Sequence, residues 1–148
     1  MTILHNEITI NAPIEKIWEA LSSIENLDKF DPAVKKSTAI TQEKSGIGAK
    51  RKVDMLDGKN WFEEKITLFK INEAIVYQLT DCSFPINGLK HSYSFEKIGS
   101  QTKVKQVMEY TVKFGVLGKI LDSLMIRKQT SSGITKFFNG LKEYTEKK

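Results

Sequence analysis

From Val34 to Phe114 apolar and polar residues alternate with a period of two, and after Gly115 the period turns helical and stays so to the end. This transition restricts the fold more than any other feature of the chain. Turn residues interrupt the alternating part at Ser45-Gly46, Asp57-Gly58, Asn72, Pro85-Ile86-Asn87-Gly88 and Gly99-Ser100. They divide it into candidate strands at 34–42, 49–56, 59–70, 73–81, 89–98 and 102–114. Connections this short join antiparallel neighbours, because a parallel crossover needs a dozen residues or more. The last strand is the plainest, with Val104, Met108, Tyr110, Val112 and Phe114 in phase against Lys103, Lys105, Glu109 and Lys113. In the terminal segment Leu117, Ile120, Leu121, Leu124 and Met125 form one apolar stripe, and Ile134, Phe137, Phe138, Leu141 and Tyr144 form a second. At roughly 100° per residue the second stripe is rotated by about a quarter turn from the first. "RKQTSSG", residues 127–133, lies between them without a large apolar side chain, and Gly133 suggests a bend or short break nearby.

Ahead of the alternating part, "ILHNEITIN" places Leu4, Ile8 and Ile10 on one face with Asn6 as the polar exception, which reads as a strand. "APIEKIWEALSS" follows as a helix, with Pro13 suited to the first helical position and Ile14, Ile17, Trp18 and Leu21 at helical spacing. "IENLDKF" reads as a second short helix behind Ser23 as cap, ended by Asp31-Pro32. The layout is one strand, two short helices, six strands and a long terminal helix, expected to make a single α+β domain over residues 1–148. An antiparallel sheet followed by one long helix must bury a face against it. If the sheet curves, the space between is either packed solid or a pocket.

The Asp57-Gly58 hairpin pairs residues whose numbers share one sum, with a two-residue primed turn expected at its tip. Val53 then faces Phe62, and Arg51 faces Glu64. Alternation puts Arg51, Val53, Met55, Phe62 and Glu64 on one face, so an arginine and a glutamate share the apolar side of the sheet. Two readings stand. The pair either presents spare donors and acceptors to a ligand's polar head, gripped in bidentate fashion, or it is a structural cross-strand ion pair. In "LKHSYSFEK", Leu89, His91, Tyr93 and Phe95 alternate together, so His91 also faces inward. It is either a ligand donor or base, or a core histidine satisfied by backbone. Tyr93, Met108 and Tyr110 suit a core as well as a pocket wall. The 127–133 interval, with Lys128 and the hydroxyls of Thr130, Ser131 and Ser132, either leaves room for a ligand beside Leu124 or is a solvated bend. The 82–88 loop is placed to gate an opening at the strand ends.

Several classes lack their signatures. A chain of 148 residues can bury a sizeable core without disulfides, and Cys82 is its one cysteine. The start "MTILHNEITI" lacks the basic flank and apolar block of a leader, and no apolar run suffices for a bilayer span, so a cytoplasmic protein is expected. His5, His91 and Cys82 complete no metal-ligand spacing, and neither a metal nor a cofactor is expected. "GIGAK" is not a phosphate loop, and no nucleophile elbow occurs. Net charge is +5, and residues 117–148 carry seven basic side chains against three acidic. No aromatic residues alternate with these charges as nucleic-acid platforms require, so nucleic acid is not an expected partner. Transient contact with an anionic membrane is compatible with the basic tail, and the oligomeric state is left open.

"ITINAPIEKIWEALSSIENLDKFDPAVKKS", "GIGAKRKV…DGKNWFEEKIT" and "FNGLKEYTEKK", in this order, resemble the START-like helix-grip superfamily, also called SRPBCC or polyketide cyclase/dehydrase and lipid transport. The resemblance covers essentially the whole chain. It implies a curved seven-stranded antiparallel sheet wrapped around a long C-terminal helix, two short helices after the first strand, and a hydrophobic cavity between sheet and helix. It implies the fold more firmly than the activity. The leading expectation is a non-enzymatic binder or carrier of a small hydrophobic molecule, lipid, quinone or polyketide-like. Arg51, Val53, Met55, Phe62, Glu64, His91, Tyr93, Phe95, Met108, Tyr110, Leu124, Lys128 and Ser131 would line its site. The alternatives are an aromatase/cyclase or dehydratase, with His91 shuttling protons and Arg51 stabilising an enolate, and an interaction module docking through its basic helix.

Overall fold

The computed structural model describes residues 1–113, 115–121 and 125–147, with backbone alone at 116, 118 and 121. Phe114, Asp122, Leu124 and Lys148, all named above or belonging to the basic tail, lie outside the described residues, as does the Leu121 side chain. The elements run β1 (Thr2–Ile10), α1 (Ile14–Ser22), α2 (Leu27–Phe30), β2 (Val34–Ala39), β3 (Lys50–Met55), β4 (Trp61–Lys70), β5 (Ala74–Cys82), β6 (Ile86–Ile98), β7 (Gln101–Val112), α3 (Gly115–Leu121) and α4 (Arg127–Glu146). The strands form one seven-stranded antiparallel sheet in the order β1-β7-β6-β5-β4-β3-β2. Each short turn thus joins spatial neighbours, and only β1 travels across to pair with β7. Register shifts between Glu63 and Glu64, Ile66 and Leu68, and Asn87 and Lys90 mark bulges, which increase local twist and curve the sheet around its helices.

The β3–β4 register is the expected one, with Arg51 opposite Glu64 and Val53 opposite Phe62. The turn is different. Met55 N–H donates to Asn60 O at 3.0 Å, so a four-residue loop, Leu56 to Lys59, replaces the two-residue turn. Gly58 takes φ +73° but Asp57 does not adopt the positive φ a primed turn needs. Instead Asp57 Oδ1 accepts the backbone N–H groups of Lys59 and Asn60 at 2.8 Å each, an Asx arrangement. Lengthening the loop by one residue on each side leaves the register unchanged.

The helices depart from expectation at their ends. Pro13 sits just before α1, at φ −71° and ψ 156°, rather than in its first turn. Ser23 closes α1 instead of capping α2, and α2 shrinks to one turn because Ile24 N–H is taken by Lys44 O at 3.0 Å. α4 continues unbroken through Gly133; the irregularity lies upstream, as a π-helical step at Met125-Ile126.

The core lies between the concave face of the sheet and the helices. Ile10, Ile66, Ile75 and Val104 from the sheet meet Ile17 and Leu21 of α1 and Ile134, Phe138 and Leu141 of α4, all buried. Trp18 packs edge-on against Phe69 and Phe95, with ring centroids 5.1 and 6.0 Å away. α4 also presses on α2 with almost no intervening side chain. A Cβ built on Gly140 would stand 1.9 Å from Phe30 O, so only glycine permits this approach.

Candidate functional site

Arg51 projects from β3 and Glu64 from β4 into the core, and they are 6 % and 2 % exposed. The sequence pattern requires this, since both follow the phase of Val53, which is fully buried. The grip is not the expected two-oxygen fork. Nε and Nη2 of Arg51 donate to the same oxygen, Glu64 Oε1, at 2.8 and 2.6 Å, and Nη1 donates to Ile24 O at 3.4 Å. The guanidinium also lies 4.3 Å from the centre of the Tyr77 ring. Burial pulls its pKa down, but the neighbouring Tyr77 and Glu64 more than offset this and leave it above the ordinary arginine value. Tyr77 donates its hydroxyl to Leu21 O at 2.6 Å, and burial, opposed by Arg51, pushes its pKa up to about 12. Ser45 Oγ reaches Ser22 O and Ser37 Oγ reaches Ile24 O. The last carbonyls of α1 and the link that follows are thus held by side chains from the sheet and the loop before β3. Structurally, Arg51 is a clamp on the α1–α2 connection.

One oxygen is left over. Glu64 Oε2 is sealed from solvent and has no hydrogen-bond partner, and the same is true of His91 Nε2. His91 as a residue is half-buried, on β6, paired across to Tyr77 on β5 and Met108 on β7. Burial lowers its pKa, with Glu64 opposing and Arg51 reinforcing the shift, so the ring is neutral at pH 7. Its Nδ1 lies 3.4 Å from the hydroxyl of Tyr93. That hydroxyl accepts Gln106 Nε2–H at 3.1 Å, and Gln106 Oε1 accepts Asn6 Nδ2–H at 3.3 Å. Burial raises the Tyr93 pKa, so its phenol remains protonated. A polar row therefore runs across β6, β7 and β1 among buried apolar neighbours such as Val104 and Met108. Gln106 is absent from the sequence-based set, although it stands in phase between Val104 and Met108 and signals itself by breaking their apolar run, as Asn6 does on β1.

A groove of about 670 Å³ opens between the N-terminal half of α4 and the end of β3, lined by Ala33, Met55, Met125, Lys128, Ser132 and Lys136 among others. Ala33 N–H is held by Asp31 Oδ1 at 2.9 Å, and burial raises the pKa of that carboxyl. Of the expected site residues, Met55 and Lys128 line this groove. Arg51, Glu64, His91 and Tyr93 converge in the buried network instead. Val53, Met108 and Tyr110 are buried in the core, while Phe62 and Phe95 are half-buried against it. Ser131 is exposed, and its carbonyl accepts the Thr135 hydroxyl; the neighbouring Ser132 faces the groove in its place. The reason is helical phase, since α4 continues as regular helix through the interval. The expected 82–88 loop is only three residues long, 83–85, because β5 runs to Cys82 and β6 starts at Ile86, and a smaller pocket of about 120 Å³ lies beside it, between Leu79, Cys82, Ile86 and Lys113.

Among the described residues no helix is long and apolar enough to cross a membrane. Among the same residues, no three or more His, Cys, Asp or Glu side chains are grouped to hold a metal. No curated protein matches the sequence. Solved structures similar to the fold include a protein from Thermus thermophilus, at 17 % identity, covering 96 % of this chain and 95 % of that one, with a TM-score of 0.80. A START superfamily protein from Mycobacterium smegmatis matches at 17 % identity, 96 % and 97 % coverage, and a TM-score of 0.76. Truncated norcoclaurine synthase from Thalictrum flavum matches at 17 % identity, 99 % and 94 % coverage, and a TM-score of 0.78. At such identities the likeness is one of architecture, the helix grip of the START and Bet v-like folds. The sequence itself matches the model of the polyketide cyclase/dehydrase and lipid transport family over residues 1–146. The chain is a member of that polyketide cyclase/dehydrase and lipid transport family.

Proposed function

We propose that the protein binds a small, mainly apolar molecule between its sheet and α4, without chemical turnover. The observation that carries this reading is the groove beside Met55 and Met125, whose volume of about 670 Å³ falls in the range of small-molecule sites. Met55, in its wall, shares one face of β3 with the buried Val53 and Arg51. Apolar contact with Met55, Met125 and Ala33 supplies most of the affinity, and the lysines at the rim keep the mouth wetted. Membership of a family described by both cyclase and lipid-transport activities is compatible with such a role. Gently purified protein should carry a co-purifying apolar compound visible by native mass spectrometry, released on denaturation. Protein that is empty and also fails to bind a panel of environment-sensitive dyes and fatty acyl probes would refute the reading.

A further inference from the structure

The groove between α4 and the end of β3 has two kinds of wall. Met55 and Ala33 give it apolar surface from the sheet side, and Met125 does so from just ahead of α4. Gly133 adds bare helix backbone: a Cβ built there meets no neighbouring atom within 4 Å, so the space above it is open. The polar wall is one face of α4. Lys128, Ser132 and Lys136 recur every fourth residue, each turned about 40° from the last, with the two lysines about 12 Å apart along the axis. Among the described residues no carboxylate lines the groove, and none is ion-paired with Lys128 or Lys136. Lys44, Lys90, Lys105 and Lys142, by contrast, each have a carboxylate partner. Asp31 feels the charge of Lys136, but its Oδ1 is engaged by Ala33 N–H at 2.9 Å. Two cations over an apolar trough, without a protein anion among them, favour a guest that brings the missing charge.

We infer that the groove takes an anionic amphiphile, whose apolar chain lies along Met55, Met125 and the bare backbone at Gly133 and whose carboxylate-like head sits between Lys128 and Lys136. The inference deepens the binding reading and rests on it. Ammonium groups are point charges without a fixed fork, so they select the sign of the head more than its shape. Ser132, midway between them, offers its hydroxyl to a head oxygen. The lysine stems are themselves apolar and extend the cover over the chain. A neutral alcohol with the same chain keeps the apolar contact and forgoes the charge, and a quaternary ammonium meets repulsion at the same place.

The test compares three amphiphiles with one tail, decanoate, 1-decanol and decyltrimethylammonium, titrated by calorimetry at neutral pH. Decanoate should bind about fivefold more tightly than decanol, as one or two partly solvated ion pairs allow, and the cation should bind most weakly. Raising salt from about 20 mM to about 500 mM should remove most of that advantage, because both lysines are exposed. Lys128→Gln combined with Lys136→Gln should reduce the preference to under about twofold. Lys70→Gln combined with Lys97→Gln alters net charge equally, at exposed lysines that do not line the groove, and should leave the preference as it is. Gly133→Leu fills the trough and should weaken all three ligands together, with folding checked by thermal melting. Equal affinities for decanoate and decanol, or tighter binding of the cation, overturn the inference and leave the binding reading intact. So does a preference that ignores salt, survives the change at Lys128 and Lys136, or is lost with the change at Lys70 and Lys97. Folded Gly133→Leu protein that binds decanoate as wild type does places the head and chain elsewhere and also overturns it. Binding of none of the three removes both readings. Co-sedimentation with phosphatidylglycerol vesicles that needs Lys128 and Lys136, and that decanoate does not compete, assigns the lysines to a membrane surface and refutes the amphiphile.

Discussion

The two ends of α4 meet the rest of the molecule in different ways. Toward its C-terminal half, Phe137, Phe138 and Leu141 are buried, Phe30 stacks near both Phe137 and Tyr144, and the Gly140 backbone touches the end of α2. Toward its N-terminal half the covering is thin. Met125 is 52 % exposed, Lys128 and Ser132 face an open groove, and on α3 Leu117 and Ile120 are 64 % and 51 % exposed. A helix clamped at one end and loosely covered at the other is a device for keeping a fold while leaving one side accessible. The closed end accounts for stability, and the open end is where the proposed guest would enter.

The largest effect should come from breaking the clamp. Glu64→Ala leaves Arg51 charged, buried and bound only to Ile24 O and the Tyr77 face. Removing one partner of a buried pair costs about 3–5 kcal/mol. A urea unfolding curve would show this as a reduced midpoint. A loss under about 1 kcal/mol would mean that Arg51 reaches water when unpaired, and the clamp on the α1–α2 connection would then contribute little.

Next is Gly140→Ala. A methyl group placed 1.9 Å from Phe30 O must push α2 and α4 apart, and overpacking of that kind costs about 1–3 kcal/mol. The contrast is Gly133→Ala, about two turns toward the open end, where nothing lies within 4 Å of the added carbon. That change should stabilise the protein by up to about 1 kcal/mol, through helix propensity alone. Thermal melts of the two variants in opposite directions would confirm the asymmetry. Equal responses would abolish it.

Much of this asymmetry was legible in the sequence, but not all. The Arg51–Glu64 register followed from Asp57-Gly58 even though the loop type did not, because two- and four-residue loops pair the same residues. The α4 stripe of Ile134, Phe137, Phe138 and Leu141 was equally plain, and it is buried. Leu117, Ile120 and Met125 had the same periodicity and are exposed. Periodicity reports that a face is apolar, not that a partner surface is present to cover it. The site was half legible for a similar reason. Alternation placed Arg51, Glu64 and His91 on the inner face, but which oxygen of Glu64 remains free depends on the approach of Arg51. That approach is set by Ile24 O and Tyr77, from elements distant in the chain.

Acidification should destabilise the fold through His91. Its pKa in the folded state lies below the unfolded value of about 6.5, so the unfolded chain binds more protons across that interval. The contribution of the neutral ring is therefore fully present above that unfolded pKa and is lost as pH falls through the lower, folded one. Asp31, whose pKa is raised by burial, acts with the opposite sign in the carboxylate range. The measurement is thus a difference: the fall in melting temperature between about pH 7 and about pH 5 should be smaller in His91→Phe than in wild type. Identical slopes would mean that His91 gains water or a partner on protonation.

The smallest effect expected is the most informative about the open end. Met125→Gln changes a half-exposed side chain on the wall of the groove and touches none of the buried network. Stability should stay within about 0.5 kcal/mol of wild type, as surface substitutions do. Binding of an apolar probe should weaken a few-fold, because a polar amide replaces a thioether against the guest. If the same variant instead unfolds early, Met125 is a core residue and the groove is filled in solution. If it changes neither stability nor binding, the guest enters elsewhere, and the pocket beside the β5–β6 turn becomes the next wall to test. Only unchanged stability together with weakened binding keeps the division of the molecule into a clamped end and a receiving one.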